Sequence, residues 1–213
     1  MNDSTVRDRL PWAILIAVLV LPAALALKQM VSGLDLRALR SNRAALDDYG
    51  VVPDFAFVEQ SGKPIRRADL AGSPWIANFV YTRCDGICPL LSTAMAKLGR
   101  RVDGVRLVSF SVDPTRDTPA ELTRYAERFA ADPRRWLFLT GDAPAMRRLV
   151  SEGFHLAVFE ESAGETGGAI THSDRIVLVD GDLHIRRYYS GENDRWIAEA
   201  VRDLGELRRS DSS

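Results

Sequence analysis

The sequence predicts an α/β fold: a thioredoxin-like arrangement with a central mixed sheet flanked by helices, preceded by a single N-terminal transmembrane helix. Three observations predict it. Between residues 50 and 207 short apolar runs alternate with amphipathic stretches, the pattern of strands alternating with helices. Both cysteines, Cys84 and Cys88, fall between the first buried run and the helix that follows it, the place where a thioredoxin-like protein carries its thiols. And "PWAILIAVLVLPAALAL", residues 11–27, contains no charged side chain.

The apolar stretch comes first. At 1.5 Å per residue it spans about 25 Å, just short of a hydrocarbon core. Arg7 and Arg9 precede it and Lys28 follows. It reads as an uncleaved anchor over residues 11–28, with residues 1–10 cytoplasmic, or as a signal peptide cut after Ala24-Leu25-Ala26. Either reading exports the rest of the chain. The expected location is the cell inner membrane, single-pass, with the soluble domain on the periplasmic side. That compartment is oxidising, so a thiol pair there is managed or used. Residues 29–49 are mixed and polar and read as a tether, residues 50–207 as the domain, and 208–213 as a disordered tail.

Within the domain, "PDFAFVEQSGKPI" alternates around Phe55 and Phe57 and turns at Ser61-Gly62, like a hairpin. "WIANFVYT" is a buried strand leading straight into the cysteines. "LLSTAMAKLGRRV" is helical, with Leu91, Met95 and Leu98 on one face. "VRLVSFSVD" is a second buried strand. "DTPAELTRYAERFA" begins as a helix should: Thr118 as N-cap, Pro119 at the first helical position and Glu121 completing a capping box. "RWLFLTG" is a strand, "DAPAMRRLVSEG" a helix, and "FHLAVF" a short strand before a Gly-rich loop at 160–169. "RIVLVDGDLHIRRYY" reads as two strands about Gly181, and "DRWIAEAVRDLGEL" as a final helix capped by Asp194.

Composition limits the function. The chain has 213 residues, 46% hydrophobic and 27% charged, with a net charge of −1. That suits one well-packed domain. No Lys/Arg-rich run marks a nucleic-acid partner. Two cysteines are too few for a disulfide framework, and closing so short a loop gains little. A redox dithiol and a metal clamp remain. The usual redox spacing is C-x-x-C, whereas here three residues intervene. Pro89 puts Cys88 at or near the N-cap of its helix, where the free N–H groups and macrodipole favour a thiolate. Two soft sulfurs on one loop suit Cu(I), given a third ligand. The chain has three histidines. His155 and His184 read as ordinary strand or turn residues. His172, between the Gly-rich loop and "RIVLV", reads equally as a ligand or a local capping residue.

These motifs carry a resemblance. "YTRCDGICP" at 81–89, "SVDPTRDTPAEL" at 111–122 and "THSDRIVLVD" at 171–180 are similar to the Sco/SenC family, thioredoxin-fold copper-binding assembly factors of cytochrome c oxidase. The resemblance covers roughly residues 50–205 and extends to a single anchor before the domain. It implies that Cys84, Cys88 and His172 hold copper, as Cu(I) or as Cu(II) with an added oxygen ligand. It implies that Asp113 and Asp117 support the site or touch a partner, with Asp85 inside the motif as a further supporting residue. The implied partners are the oxidase subunit carrying a copper site and a second periplasmic copper chaperone. Where the family often has an acidic residue before the histidine, this chain has Thr171. Thioredoxin-type oxidoreductases place a cis-proline opposite their cysteines, yet no proline occurs from residue 145 onward. This favours a metallochaperone. The alternative is a thiol-disulfide reductase that keeps a copper-receiving protein's cysteines reduced, with Cys84 attacking and Cys88 resolving. A thiol peroxidase finds no supporting arrangement around Cys84.

Overall fold

The computed structural model describes residues 46–156, 159–160, 170–171 and 174–210. The predicted anchor at 11–28, residues 29–45 of the tether, residues 161–169 of the Gly-rich loop, and His172 lie outside the described residues. Among the described residues no helix is long and apolar enough to cross a membrane.

The chain forms β1 (Ala56–Glu59), β2 (Pro64–Arg66), β3 (Trp75–Val80), α1 (Ile87–Arg101), β4 (Arg106–Ser111), α2 (Pro119–Arg128), β5 (Trp136–Thr140), α3 (Ala143–Arg148), β6 (Phe159–Glu160), β7 (Ile170–Thr171), β8 (Arg175–Val179), β9 (Ile185–Ser190) and α4 (Arg195–Ser210). Seven strands form one mixed sheet in the order β2-β1-β5-β4-β3-β8-β9, and β6 pairs with β7 apart from it. β3, β4 and β5 are parallel; the pairs on either side are antiparallel. This is the predicted mixed sheet, with β3 between β4 and β8.

The parallel centre explains the unbroken apolar runs, because helices cover both faces. In β3 the residues alternate between two cores. Ile76 and Val80 join Leu91, Met95 and Leu98 of α1, Leu122 and Tyr125 of α2, and Ile197 and Leu204 of α4. Trp75, Ala77 and Phe79 face the other way, onto Phe110, Met146, Leu149 and Phe154. Three helices thus lie on one face and α3 on the other. Asn78 sits in the middle of β3, fully buried; its side-chain oxygen accepts from Ser109 at 2.6 Å, and the Ser109 oxygen accepts from the Trp136 indole at 2.9 Å.

Local signals fare unevenly. Thr118 caps α2, accepting from the Glu121 N–H at 3.3 Å, but the Glu121 carboxylate takes Arg124 at 2.7 Å instead of completing the box. Asp194 pairs with Lys97 at 2.5 Å, and Asn193 accepts the Arg195 N–H at 3.1 Å. The helix expected over "DAPAMRRLVSEG" ends at Arg148 and continues as a π-turn over Leu149–Gly153. A Cβ on Gly153 would sit 2.7 Å from Pro53 Cδ, so this turn needs glycine. α4 runs to Ser210, three residues into the expected tail. The stretch before β1 is clasped onto the far edge of the sheet: Val51 bridges His184, Tyr49 donates to Ile185 O at 2.9 Å, and Ile185 donates to Gly50 O at 2.8 Å.

Candidate metal centre

β3 delivers the chain to the site. After Val80 the backbone turns, with the Cys84 N–H donating to Tyr81 O at 3.2 Å. Gly86 is the N-cap of α1, so Cys88 is its second residue and Pro89 its third. The sequence placed Cys88 nearer the cap. Pro89 is tolerated because N–H groups of the first turn have no intrahelical acceptor. The Cys88 N–H instead donates to the Cys84 sulfur at 3.4 Å. The two cysteines are not joined by a disulfide; Cys84 is 7% exposed and Cys88 fully buried.

The two thiols are electrostatically unequal. Burial pushes Cys84 up, but donors outweigh it: the Cys88 thiol and N–H, the Gly86 N–H and the Tyr81 hydroxyl together hold Cys84 below its ordinary value. Burial pushes Cys88 well above its ordinary range, and donation to Cys84 adds to the shift. Tyr81 is pushed up to about 12 by burial and by the neighbouring Cys84. In the free dithiol, then, Cys84 carries the developing charge and Cys88 keeps its proton.

Asp117 lies beneath the loop, 1% exposed. Its carboxylate accepts from the Thr82 N–H at 3.1 and 3.2 Å, from the Thr82 hydroxyl at 2.6 Å and from the Ser111 hydroxyl at 2.6 Å. Burial raises it, against the pull of these donors. Asp113 is also buried, and organises its own turn by accepting from Thr115 at 2.8 Å and Arg116 at 3.0 Å. Asp85 is exposed.

β8 runs antiparallel to β3, with Ala77 opposite Val177 and Trp75 opposite Val179, so Arg175 lies toward the cysteine end of β3. The strand that follows His172 in sequence therefore enters the sheet beside the exit toward Cys84. Its entry is pinned at Asp174, which accepts from the Gly191 N–H at 3.1 Å and the Ser190 hydroxyl at 2.8 Å. β7 ends at Thr171 and is paired to β6, Thr171 opposite Phe159. His155 is exposed in a turn at φ +51°, and His184 pairs with Asp48. Among the described residues no three His, Cys, Asp or Glu side chains gather as a metal-ligand cluster. The structure joins Cys84 to Cys88 and ties Asp117 to Thr82, two residues before Cys84. Tyr81, Thr82 and Ser111, which sequence reasoning did not single out, contribute hydrogen bonds there; their only signal was that they open the two motifs.

Comparison with known proteins agrees with this geometry. The SCO1/SenC family model matches residues 43–206. A SCO1/SenC family lipoprotein from Bacillus anthracis str. Ames superposes with a TM-score of 0.71 at 30% identity, over 78% of this chain and 98% of that one. BsSco, a member of the Sco family of cytochrome c oxidase assembly proteins in which a disulfide switch was identified, matches with a TM-score of 0.66 and 28% identity, over 76% and 95%. ScoI of Bradyrhizobium japonicum with copper bound matches with a TM-score of 0.61 and 25% identity, over 74% and 99%.

Proposed function

The chain belongs to the SCO1/SenC family, and from that premise we propose that it is a membrane-anchored copper metallochaperone serving the copper centre of cytochrome c oxidase. Copper is its cargo. The observation that carries the reading is the pair of thiols on one short loop, not joined as a disulfide, held together by the Cys88 N–H and closed off from bulk water. Thiolate pairs of this kind prefer Cu(I). Cys84 and Cys88 supply the two sulfurs and His172 the third ligand; Cu(II) takes an added oxygen ligand. Loading releases the thiol protons, so it is easier as pH rises. Three ligands leave a coordination position for an incoming group, and copper leaves by ligand exchange with the oxidase subunit or a second chaperone. The apolar segment at 11–28 holds the domain at the inner membrane on the exported side.

The experiment is an anaerobic Cu(I) titration of the full reduced chain in detergent. One equivalent should bind. Binding should be lost in Cys84→Ser and Cys88→Ser and greatly weakened in His172→Ala. A reduced wild-type chain that takes no Cu(I), or a Cys84→Ser variant with unchanged affinity, overturns the proposal.

A second reading draws on the unequal thiols. A low-lying Cys84 beside a protonated Cys88 is the arrangement of a thiol-disulfide reductase. The Cys84 thiolate attacks a partner disulfide and releases one partner thiol. Cys88 then loses its proton, displaces the second partner thiol and closes the Cys84–Cys88 disulfide, so two electrons pass to the partner. His172→Ala separates the readings: it leaves this exchange intact while weakening copper binding.

A further inference from the structure

We propose that Asp117 is a positioning residue for the cysteine loop, acting as a buried strut that sets the place of Cys84, and is neither a metal ligand nor a partner contact. The inference rests on the copper reading above and deepens it.

Three observations carry it. The first is burial: at 1% exposure Asp117 presents no surface to a partner. The second is saturation. Its two oxygens accept the Thr82 N–H, the Thr82 hydroxyl and the Ser111 hydroxyl, at 2.6 to 3.2 Å. The lone pairs a metal would need are already committed. The third is where those donors stand. Thr82 lies two residues before Cys84, just past the end of β3, and Ser111 is the last residue of β4. One carboxylate therefore ties the exits of two adjacent parallel strands.

The strut is itself braced. The Ser111 oxygen also accepts the Asp113 N–H at 3.2 Å, and Asp113 O accepts the Asp117 N–H at 2.9 Å. The turn between β4 and α2 so closes on itself and aims Asp117 under the loop. This also divides the two aspartates: Asp113 shapes the turn, and Asp117 transmits its position to Thr82. Groups that hold a metal's ligands in place typically change affinity about 10- to 100-fold when removed, without changing stoichiometry.

The test uses the full reduced chain with four variants. Asp117→Ala removes every acceptor. Asp117→Asn keeps one acceptor oxygen, and the hydroxyls can turn to meet its amide. Thr82→Val deletes only the hydroxyl, and Thr82→Ser keeps it. Three quantities are read: Cu(I) stoichiometry and affinity by chelator competition, the thiolate-to-copper charge-transfer band of the Cu(II) form, and, without metal, Thr82 amide exchange and Cys84 alkylation rate. Asp117→Ala should still bind one copper, about 10- to 100-fold more weakly and with a shifted band. Asp117→Asn and Thr82→Val should fall between it and wild type, and Thr82→Ser should match wild type. Loss of stoichiometry in Asp117→Asn with Thr82 exchange unchanged would make Asp117 a ligand and overturn the inference. Unchanged affinity and band in variants with faster Thr82 exchange would reduce it to a stability role. If wild type takes no copper, the copper reading falls, and the metal-free measurements still judge the strut: an unaltered Cys84 alkylation rate in Asp117→Ala rejects it.

Discussion

The backbone N–H of Cys88 donates to the sulfur of Cys84 across 3.4 Å, one of the contacts that hold the Cys84 thiol low while burial lifts Cys88. One helix turn supplies the donor and one loop the acceptor. The order of events at the site follows: the first proton leaves Cys84, and only a cation or a second sulfur brings Cys88 to release its own.

Cys84 should therefore alkylate first. With its thiol held below the ordinary range, iodoacetamide at neutral pH should label Cys84 faster than a free cysteine, despite its 7% exposure. Cys88, buried and shifted up, should react only after unfolding. Peptide mass spectrometry of briefly labelled protein distinguishes them. Prior labelling of Cys88 contradicts the assignment.

The clasp at the far edge should depend on pH. His184 Nδ1 lies 3.0 Å from both oxygens of Asp48, and Asp48 also accepts the Gly50 N–H at 2.9 Å. The Asp48 contact raises His184 and the His184 contact lowers Asp48. A raised imidazole contributes fully below its unfolded pKa and loses that contribution as pH rises through the folded one. A lowered carboxylate contributes above its unfolded pKa and loses this as pH falls through the folded one. The clasp is strongest in the acidic window between the two. Amide exchange at Tyr49 and Ile185 should quicken from about pH 5.5 to about pH 8.5 beyond the intrinsic base effect, and His184→Asn should remove that excess. An equal excess in the variant would rule the pair out.

Gly191 is held to glycine by Leu91. A Cβ there would meet Leu91 Cδ2 at 2.1 Å and Asp174 O at 2.6 Å. Gly191→Ala should cost about 1–3 kcal/mol from overpacking. Leu91→Ala alone should cost about 2–5 kcal/mol through its cavity. Together they should cost less than the sum, because the added methyl enters the space the leucine leaves. Urea unfolding of the four-member cycle measures the coupling, and strict additivity would deny the contact.

The buried chain Asn78–Ser109–Trp136 predicts another cost. Ser109→Ala strips a partner from the Asn78 oxygen and the Trp136 indole, both inside the core. Each orphaned group costs about 1–3 kcal/mol. Ser109→Thr, which keeps the hydroxyl, should cost less. Thermal unfolding that ranks Thr below Ala would show the bonds to be incidental.

Much of this was legible in the sequence because it is local. The buried runs of β3 and β4, the Thr118 cap and the Ser61-Gly62 turn each depend on neighbours in the chain. Cys84 and Cys88 stand out as candidates because only three residues separate them. What escaped depends on distant partners. Nothing in "RDTPAEL" says that Asp117 will meet Thr82, because the meeting requires β3 and β4 to lie side by side. Asn78 interrupts an apolar run for a reason that sits on β4. The need for glycine at 153, where the π-turn ends, comes from Pro53, a hundred residues earlier in the chain. Asp194 stands at the start of its helix as expected, but that its carboxylate pairs with Lys97 depends on another helix.

The place of β3 has a consequence for how the protein is made. Its neighbour on one side, β4, emerges soon after it, but on the other side Ile76 must wait for Leu178, and the edge at Val51 waits for His184. Non-local pairings of this kind close late. During synthesis the cysteine loop is therefore finished long before the half-sheet that shields it. For that interval its sulfurs lack that shelter, and on the exported side proposed above the yield of reduced protein becomes a race between chain completion and oxidation.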